Sequence, residues 1–540
     1  MSATEIAGLD WSTERLIPEF QTVTHLDICT VSGASQETLI TLTTLVGIIN
    51  RPQPKIYLIT SDDDAFWLKE VFGNVPQHAM PATNDGALDA LLDSYSTSVQ
   101  GLVIYDARLE DSINVATMLA AQKDAIVVSA TQASALQSKY SLSVLADLSI
   151  YGWKTRLQAY HWALQNLRAG CSSRLVAGLN AKNVALRPFL VATRTFIYNL
   201  DSRAYLPDLR SLFTDGFLSE RELMRQIFAS YTPATVHLGW FMDESSGVNL
   251  TSQAAIPVLA TDHFSNLEVW TAVQPTTTTP TVSTSMHSEK AVITAETVYI
   301  SFTMSDGDNL QYSQHRMKNI WRDNARGTLP IGWTISPAIL HVAPLLAEYY
   351  RASVTPNDEF IAGPDGAGYI LPSHWPPEHV NAFLQTTGRQ MQAMNLTTLQ
   401  LLDTDNWQSS GIPLLSHIRQ ASSGMICSDT GTQNRYVQVL RPFGLQGILS
   451  GAGLKKIEWK LIDSIPLYQN LGLADSVKST VTMIKNVAAS RSERPLFLNV
   501  YMLAWKMGPS DLKAVSEQLG GGYEIVLPKT LLAMLAGQNI

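Results

Sequence analysis

Val298-Tyr-Ile-Ser-Phe-Thr-Met304 is a run of mostly apolar, β-prone residues that breaks at once into Ser305-Asp306-Gly307-Asp308-Asn309. An apolar run bounded by turn formers reads as a strand covered on both faces, the kind that parallel sheets contain. The pattern returns where Leu399-Gln-Leu-Leu402 breaks into Asp403-Thr404-Asp405-Asn406-Trp407. Working outward, strand-like segments lie at 297–304, 331–336, 359–363, 398–403, 425–428, 446–450, 495–502 and 523–527. Helical patterns fall between most of them, at 310–321, 341–350, 377–394, 473–487 and 511–518. Eight strand–helix alternations predict a (β/α)8-like, TIM-type barrel with room for distortion. An open doubly wound sheet is the competing arrangement.

Upstream, Val273-Gln-Pro-Thr-Thr-Thr-Thr-Pro-Thr-Val-Ser-Thr-Ser-Met-His-Ser288 has no acidic residue, no Lys or Arg and no apolar period. It cannot bury a face and reads as a linker between two halves. The amino half alternates short strands (Leu26-Asp-Ile-Cys-Thr-Val31, Lys55-Ile-Tyr-Leu-Ile59, Gly101-Leu-Val-Ile-Tyr105, Ala125-Ile-Val-Val128) with helical stretches, which implies small parallel α/β units. Ser61-Asp-Asp-Asp64 supplies an N-cap and an acidic first turn. No Gly-rich fingerprint follows a strand here, so nucleotide binding has no support.

At 540 residues the chain is long enough for three or four domains of ~150 residues. Its net charge is −9, only 16% of residues are charged, and 45% are hydrophobic. That composition excludes a disordered or collagen-like chain and argues against nucleic acid or an anionic membrane as partner. Three scattered cysteines, Cys29, Cys171 and Cys427, set no disulfide framework. The longest apolar stretch is short of the ~20 residues a spanning helix needs. The first ten residues lack the basic head and apolar run of a secretory signal, so the chain as written reads as cytoplasmic by default, with export left open.

In a parallel barrel, functional groups collect where strands end and βα loops begin. Both D-x-D-N segments stand there. Residues i and i+2 on extended chain share a face about 6–7 Å apart, so each segment aims two carboxylates and an amide one way. Crowded, desolvated carboxylates repel one another, which holds one of them protonated near neutral pH. Glycoside hydrolysis needs that division of acid from base or nucleophile. The same oxygens could hold calcium, and the plainest alternative is that Asp, Gly and Asn simply make turns and caps.

The strand Glu359-Phe-Ile-Ala-Gly363 leads into Pro364-Asp365-Gly366-Ala367-Gly368-Tyr369-Ile370-Leu371-Pro372-Ser373-His374-Trp375. Gly366 and Gly368 allow positive φ or a close approach to a ligand, and Tyr369, His374 and Trp375 suggest an aromatic, hydrogen-bonding wall. Gly366-Ala-Gly-Tyr-Ile-Leu-Pro372 resembles the signature of the GxGYxYP family, putative glycoside hydrolases, with Leu371 where the motif has its second Tyr. Gly47-Ile-Ile-Asn-Arg51, Gly101-Leu-Val-Ile-Tyr-Asp106 and Gly239-Trp-Phe-Met-Asp-Glu244 resemble successive amino-terminal modules of that family. The resemblance implies modules at 20–98, 99–172 and 185–272, a linker at 273–290 and a barrel-like catalytic domain at 291–540.

The expected catalytic pool is therefore Asp306, Asp308, Asp365, Asp403 and Asp405. Asn309, Asn406, Gly366, Gly368, Tyr369, His374, Trp333, Trp407 and Trp505 are the expected substrate contacts, each tryptophan being equally readable as core. A carbohydrate is the expected partner, no cofactor is required, and the oligomeric state is not legible. Two rival readings are a non-catalytic glycan-binding or scaffold protein and a metal-dependent sugar deacetylase. The latter would draw on Asp306 and Asp308 with His374 and His379, although the spacing across Pro376-Pro377 does not put both imidazoles on one helical face.

Overall fold

The computed structural model describes residues 9–11, 15–206, 218–275, 293–305, 309–402, 430–454 and 457–537. The chain divides into two compact units, 1–275 with 341–347, and 276–340 with 348–540. Most of the expected linker, from 276 onward, and the expected strand at 425–428 lie outside the described residues.

The first unit holds three small parallel sheets. Leu26–Thr30 pairs with Ile56–Ile59 and Gln77–Ala79, and Leu102–Ile104 with Ile126–Val128 and Val144–Asp147. The third has the order Phe196–Tyr198, Leu175–Gly178, Val236–Gly239, Val258–Ala260. Sheets of three strands cannot each bury a full core, and the first two share one, around Leu45, Leu58, Leu91, Leu102 and Val128.

The Gly47–Arg51 stretch ends the helix Gln36–Asn50 and joins the modules. Gly47 lets that helix approach Arg187–Ala192 closely, because a Cβ there would stand 2.5 Å from the Pro188 carbonyl oxygen. Asn50 Oδ1 accepts the Lys55 and Ile56 N–H groups, both at 2.9 Å. Its Nδ2 donates to Ile56 O at 2.9 Å and to Glu268 Oε1 at 3.0 Å. Arg51 donates to Ala121 O, Val191 O and Ala192 O and pairs with Asp124. One short motif thus satisfies polar groups from all three modules.

The second unit is a barrel. Strands β1 (Val298–Met304), β2 (Ile331–Ile335), β3 (Asp358–Ala362), β4 (Thr398–Leu401) and β5 (Gly447–Leu454) pair in chain order, all parallel. A short antiparallel strand β6 (Trp459–Ile462) turns back through Asp463 and Ser464, both at positive φ, into β7 (Ile465–Ala474). β7 pairs parallel with β5 and with β8 (Leu496–Met502), and β8 closes on β1. Among the described residues, seven parallel strands therefore make the ring.

The expected final strand is present as β9 (Tyr523–Ile525), but it takes a different place. It pairs only with Val298–Ile300 of β1, while β2 takes Thr303 and Met304 further along. It therefore fills a gap at the amino end. The sequence reading missed the β6–β7 hairpin, although Asp463-Ser464 between two apolar runs is a two-residue turn signal.

The amino end of the barrel is sealed by helix Pro528–Leu535. Leu531, Leu532 and Leu535 pack with Tyr299, Ile361, Leu449 and Tyr468. Gly332 and Gly447 make room, since a Cβ at either would stand 2.6 Å from Pro528 or Leu532. Glu359 accepts the Lys529 N–H and the Thr398 hydroxyl there, each at 2.8 Å, and burial pushes its carboxyl above the usual range. A closed floor leaves the carboxyl-terminal end as the open face, as in other parallel barrels. Among the described residues, no helix is long and apolar enough to cross a membrane.

Candidate active site

The barrel interior carries a layer of uncharged polar side chains. Ser301, Thr303, Gln400, Asn470 and Asn499 are all fully buried. Asn499 Oδ1 accepts from Ser301 at 2.7 Å and Thr303 at 3.1 Å, and its Nδ2 donates to Asn470 Oδ1 at 2.6 Å. Asn470 donates to Gln400 Oε1 at 2.9 Å and to Gly451 O at 2.7 Å. Links of this kind from β1 to β4 are worth holding because each amide would be costly to bury alone. Sequence reasoning passed over them, though a lone amide inside Leu399-Gln400-Leu401 or Leu498-Asn499-Val500 is a legible signal.

Above this layer, the strands that precede the two acidic segments end at the same face. β1 and β4 are three strand positions apart in one closed parallel ring. Asp306, Asp308, Asp403, Asp405, Asn406 and Trp407 lie outside the described residues, as does the side chain of Asn309, whose backbone opens the helix Asn309–Gln314. The last described residue before each segment is anchored. Ser305 N–H donates to Met502 O at 2.9 Å, and Ser305 Oγ accepts the Ala504 N–H at 3.2 Å. Leu402 N–H donates to Asp365 Oδ1 at 2.7 Å.

Asp365 is fully buried and every polar atom it has is engaged. Besides Leu402 it accepts the Ile370 N–H on Oδ2 at 3.4 Å, donates its own N–H to Gln400 O at 3.0 Å, and accepts the Tyr436 hydroxyl on its carbonyl at 3.3 Å. Its φ of 62° is a conformation that Asp tolerates better than most residues. Asp365 was expected in the acid–base pool, and its carboxylate meets the Leu402 and Ile370 N–H groups, tying the signature loop to the chain entering Asp403.

Gly366 of the motif serves the same packing. Gly366 has φ 127°, and a Cβ on it would fall 2.4 Å from Thr387 Oγ1, so the loop lies flat on helix α1 (Pro377–Met394). Gly368 is buried in the same loop. Gly366 therefore approaches a helix. Tyr369 is buried at 3% exposure, and His374 is half-buried in the turn Pro372–His374.

Trp333 is core as well. It is fully covered, 5.0 Å from the Trp321 ring, with its N–H on Asp358 at 2.8 Å, so it offers no face to a sugar. Trp505 is 42% exposed on the segment that holds Ser305, beside Tyr312. In the first unit, Asp243 caps the helix Glu244–Gln253 through the Ser246 N–H at 3.1 Å.

Beside the signature loop a cleft of about 370 Å³ opens. The loop supplies Ile370, Pro372, Ser373 and Trp375, α1 supplies Val380 and Phe383, and α2 (Thr430–Leu440) supplies Gly431, Thr432, Arg435 and Tyr436. Through Tyr436 this cleft touches the carbonyl of Asp365.

Four family models match in sequence order. Residues 25–96, 99–171 and 173–272 match the first, second and third GxGYxYP amino-terminal domains, and 296–536 match the GxGYxYP putative glycoside hydrolase C-terminal domain. The chain belongs to the GxGYxYP family. Its fold is similar over 99% of both chains to the crystal structure of a putative hydrolase from Bacteroides thetaiotaomicron VPI-5482, with 20% sequence identity and a TM-score of 0.76. No curated protein matches the sequence. In this GxGYxYP protein the signature loop is joined to the end of β4 through the Asp365–Leu402 hydrogen bond, and Leu371, in place of the second Tyr, is buried at 2% exposure.

Proposed function

We propose that this GxGYxYP protein is a glycoside hydrolase that cleaves its glycan at the carboxyl-end mouth of the barrel. Asp306 and Asp308 after β1, with Asp403 and Asp405 after β4, form its carboxylate pool. The observation that carries the reading is that β1 and β4 run parallel in one closed ring and end at its open face, with Leu402 pinned by Asp365 just before Asp403. A barrel whose floor is sealed leaves that face for a ligand, and two strands of one ring that each lead into an acidic segment suit an acid and its partner carboxylate. Asn309 and Asn406 would bond hydroxyls, and Trp505, 42% exposed, would stack on a sugar ring.

The test is a panel of purified glycans assayed against the protein and against Asp306→Asn, Asp308→Asn, Asp403→Asn and Asp405→Asn. Loss of hydrolysis in at least one variant from each segment, with folding intact, is the expected result. Undiminished hydrolysis in all four would defeat the assignment. Product stereochemistry then reports the carboxyl separation, about 5–5.5 Å for retention and about 6.5–9.5 Å for inversion.

A further inference from the structure

β6 gives the barrel an open backbone edge. It pairs in register with the start of β7, Trp459 with Tyr468, Lys460 with Leu467, Leu461 with Pro466 and Ile462 with Ile465. The Gln469 N–H donates to Glu458 O at 2.9 Å, which extends the ladder by one residue beyond Trp459. Hydrogen-bonding direction alternates along an antiparallel strand. Glu458, Lys460 and Ile462 therefore turn their backbone groups to β7, and Trp459 and Leu461 turn theirs away from it. Pro466 fits that alternation, since it has no N–H to give and stands opposite Leu461. Among the described strands β6 pairs with β7 alone, and such an edge is a template for another strand. Trp459 and Leu461 share one face of it and are 44% and 48% exposed.

The sequence of this edge is complementary to itself. Reversed against its own copy about Trp459, Ile457-Glu458-Trp459-Lys460-Leu461 sets Glu458 against Lys460 twice and Ile457 against Leu461 twice. Trp459 and Leu461 then fall at hydrogen-bonded positions, as their outward backbone groups require. Glu458 and Lys460 fall at the positions between, where facing side chains come closest. An axis at Lys460 also suits the backbone but sets two lysines against each other. We propose that β6 is the contact of a homodimer, formed by antiparallel pairing of 457–461 with the same segment of a second copy about a two-fold axis at Trp459. Such a contact is isologous, as closed dimers require. β6 lies beside the first residues of β7, at the amino end of the barrel, so the pairing leaves the carboxyl-end mouth open. Five residues a side make less than a standard interface, so the dimer is weak and concentration-dependent.

Sedimentation equilibrium of the full-length protein, from micromolar to near-millimolar concentration, should show the average mass climbing from monomer toward dimer. Trp459→Lys should hold it at the monomer. Lys460→Glu and Glu458→Lys each turn both cross-strand pairs into like charges and should weaken association about tenfold. Mixed in equal amounts, those two variants regain both opposite-charge pairs and should associate as the unaltered protein does. That recovery also separates lost pairing from misfolding, because the altered positions lie on a partly solvent-exposed strand and thermal melts should be unchanged. A monomer at every concentration overturns the proposal. So does association that Trp459→Lys leaves intact, which would place the contact elsewhere. Failure of the mixture to recover overturns the pairing about Trp459.

Discussion

Replacing Asp365 with alanine removes the acceptor of the Leu402 N–H, a buried bond of 2.7 Å to a carboxylate, and the weaker one to Ile370 at 3.4 Å. Hydrogen bonds to charged groups contribute about 1.5–3 kcal/mol, and a buried N–H left unpaired costs about 1–3 kcal/mol. These overlap, so the expected loss is about 2–4 kcal/mol in the barrel unit. For a unit of this size that lowers its melting transition by roughly 5–15 °C, at about 2–4 °C per kcal/mol.

Asp365→Asn should cost less, about 1 kcal/mol, because the amide oxygen can still accept from Leu402 while the amino group meets the Ile370 N–H. Scanning calorimetry of the whole chain reads the transition, and hydrogen exchange of the peptide around Leu402 reads the latch locally. If positioning is the role, the asparagine variant should keep most of its hydrolytic rate with an unshifted pH profile, and the alanine variant should lose both protection and activity. Abolished hydrolysis in the asparagine variant, with melting and exchange unchanged, would show that the carboxyl does chemistry and refute the latch.

Three further outcomes follow from buried groups and surfaces. Burial pushes the Glu268 carboxyl up to about 7, against an ordinary value near 4.5. The folded state therefore retains a proton that the unfolded chain releases, and stability falls as pH rises from about 4.5 to 7. At about 1.4 kcal/mol per pKa unit, Glu268→Gln should raise the melting temperature of the first unit at pH 8 and lose that advantage near pH 4; a pH-independent difference would sink the argument. Gly47→Ala gains about 1 kcal/mol of helix propensity but sets a Cβ 2.5 Å from the Pro188 carbonyl, and overpacking of about 1–3 kcal/mol should win. A melt showing net stabilisation would mean that the helices separate freely. Trp505→Ala should leave thermal stability nearly unchanged and weaken glycan binding several-fold, up to about tenfold, in a calorimetric titration with the glycan that the hydrolysis panel identifies.

Much of the barrel was legible because its evidence is local. Buried parallel strands show as apolar runs, and the helix at Pro377–Met394 is announced by Pro376-Pro377 before it and Asn395 after it, the latter in the left-handed conformation that closes a helix. The β6–β7 hairpin was missed because Pro466 and Gln469-Asn470 interrupt what would otherwise read as a strand. The amides inside the barrel look like surface residues until their partners are known. Trp333 stands mid-strand in β2 and Trp505 in the loop after β8, and the residue type alone does not separate a ring under Trp321 from one that is exposed.

By itself the sequence determined the α/β class, the run of parallel strands, the family and the place of both acidic segments directly after strands. Each of these follows from periodicity and from short motifs, which depend on neighbours along the chain. Only the tertiary structure decided that the ring closes with seven strands, that Gly366 packs against Thr387, and that Asp365 is spent on Leu402. Those outcomes depend on which distant groups meet in a space with no water to satisfy a stray N–H or carboxylate. A residue's type states what bonds it can make, and the packing around it decides which of them it must.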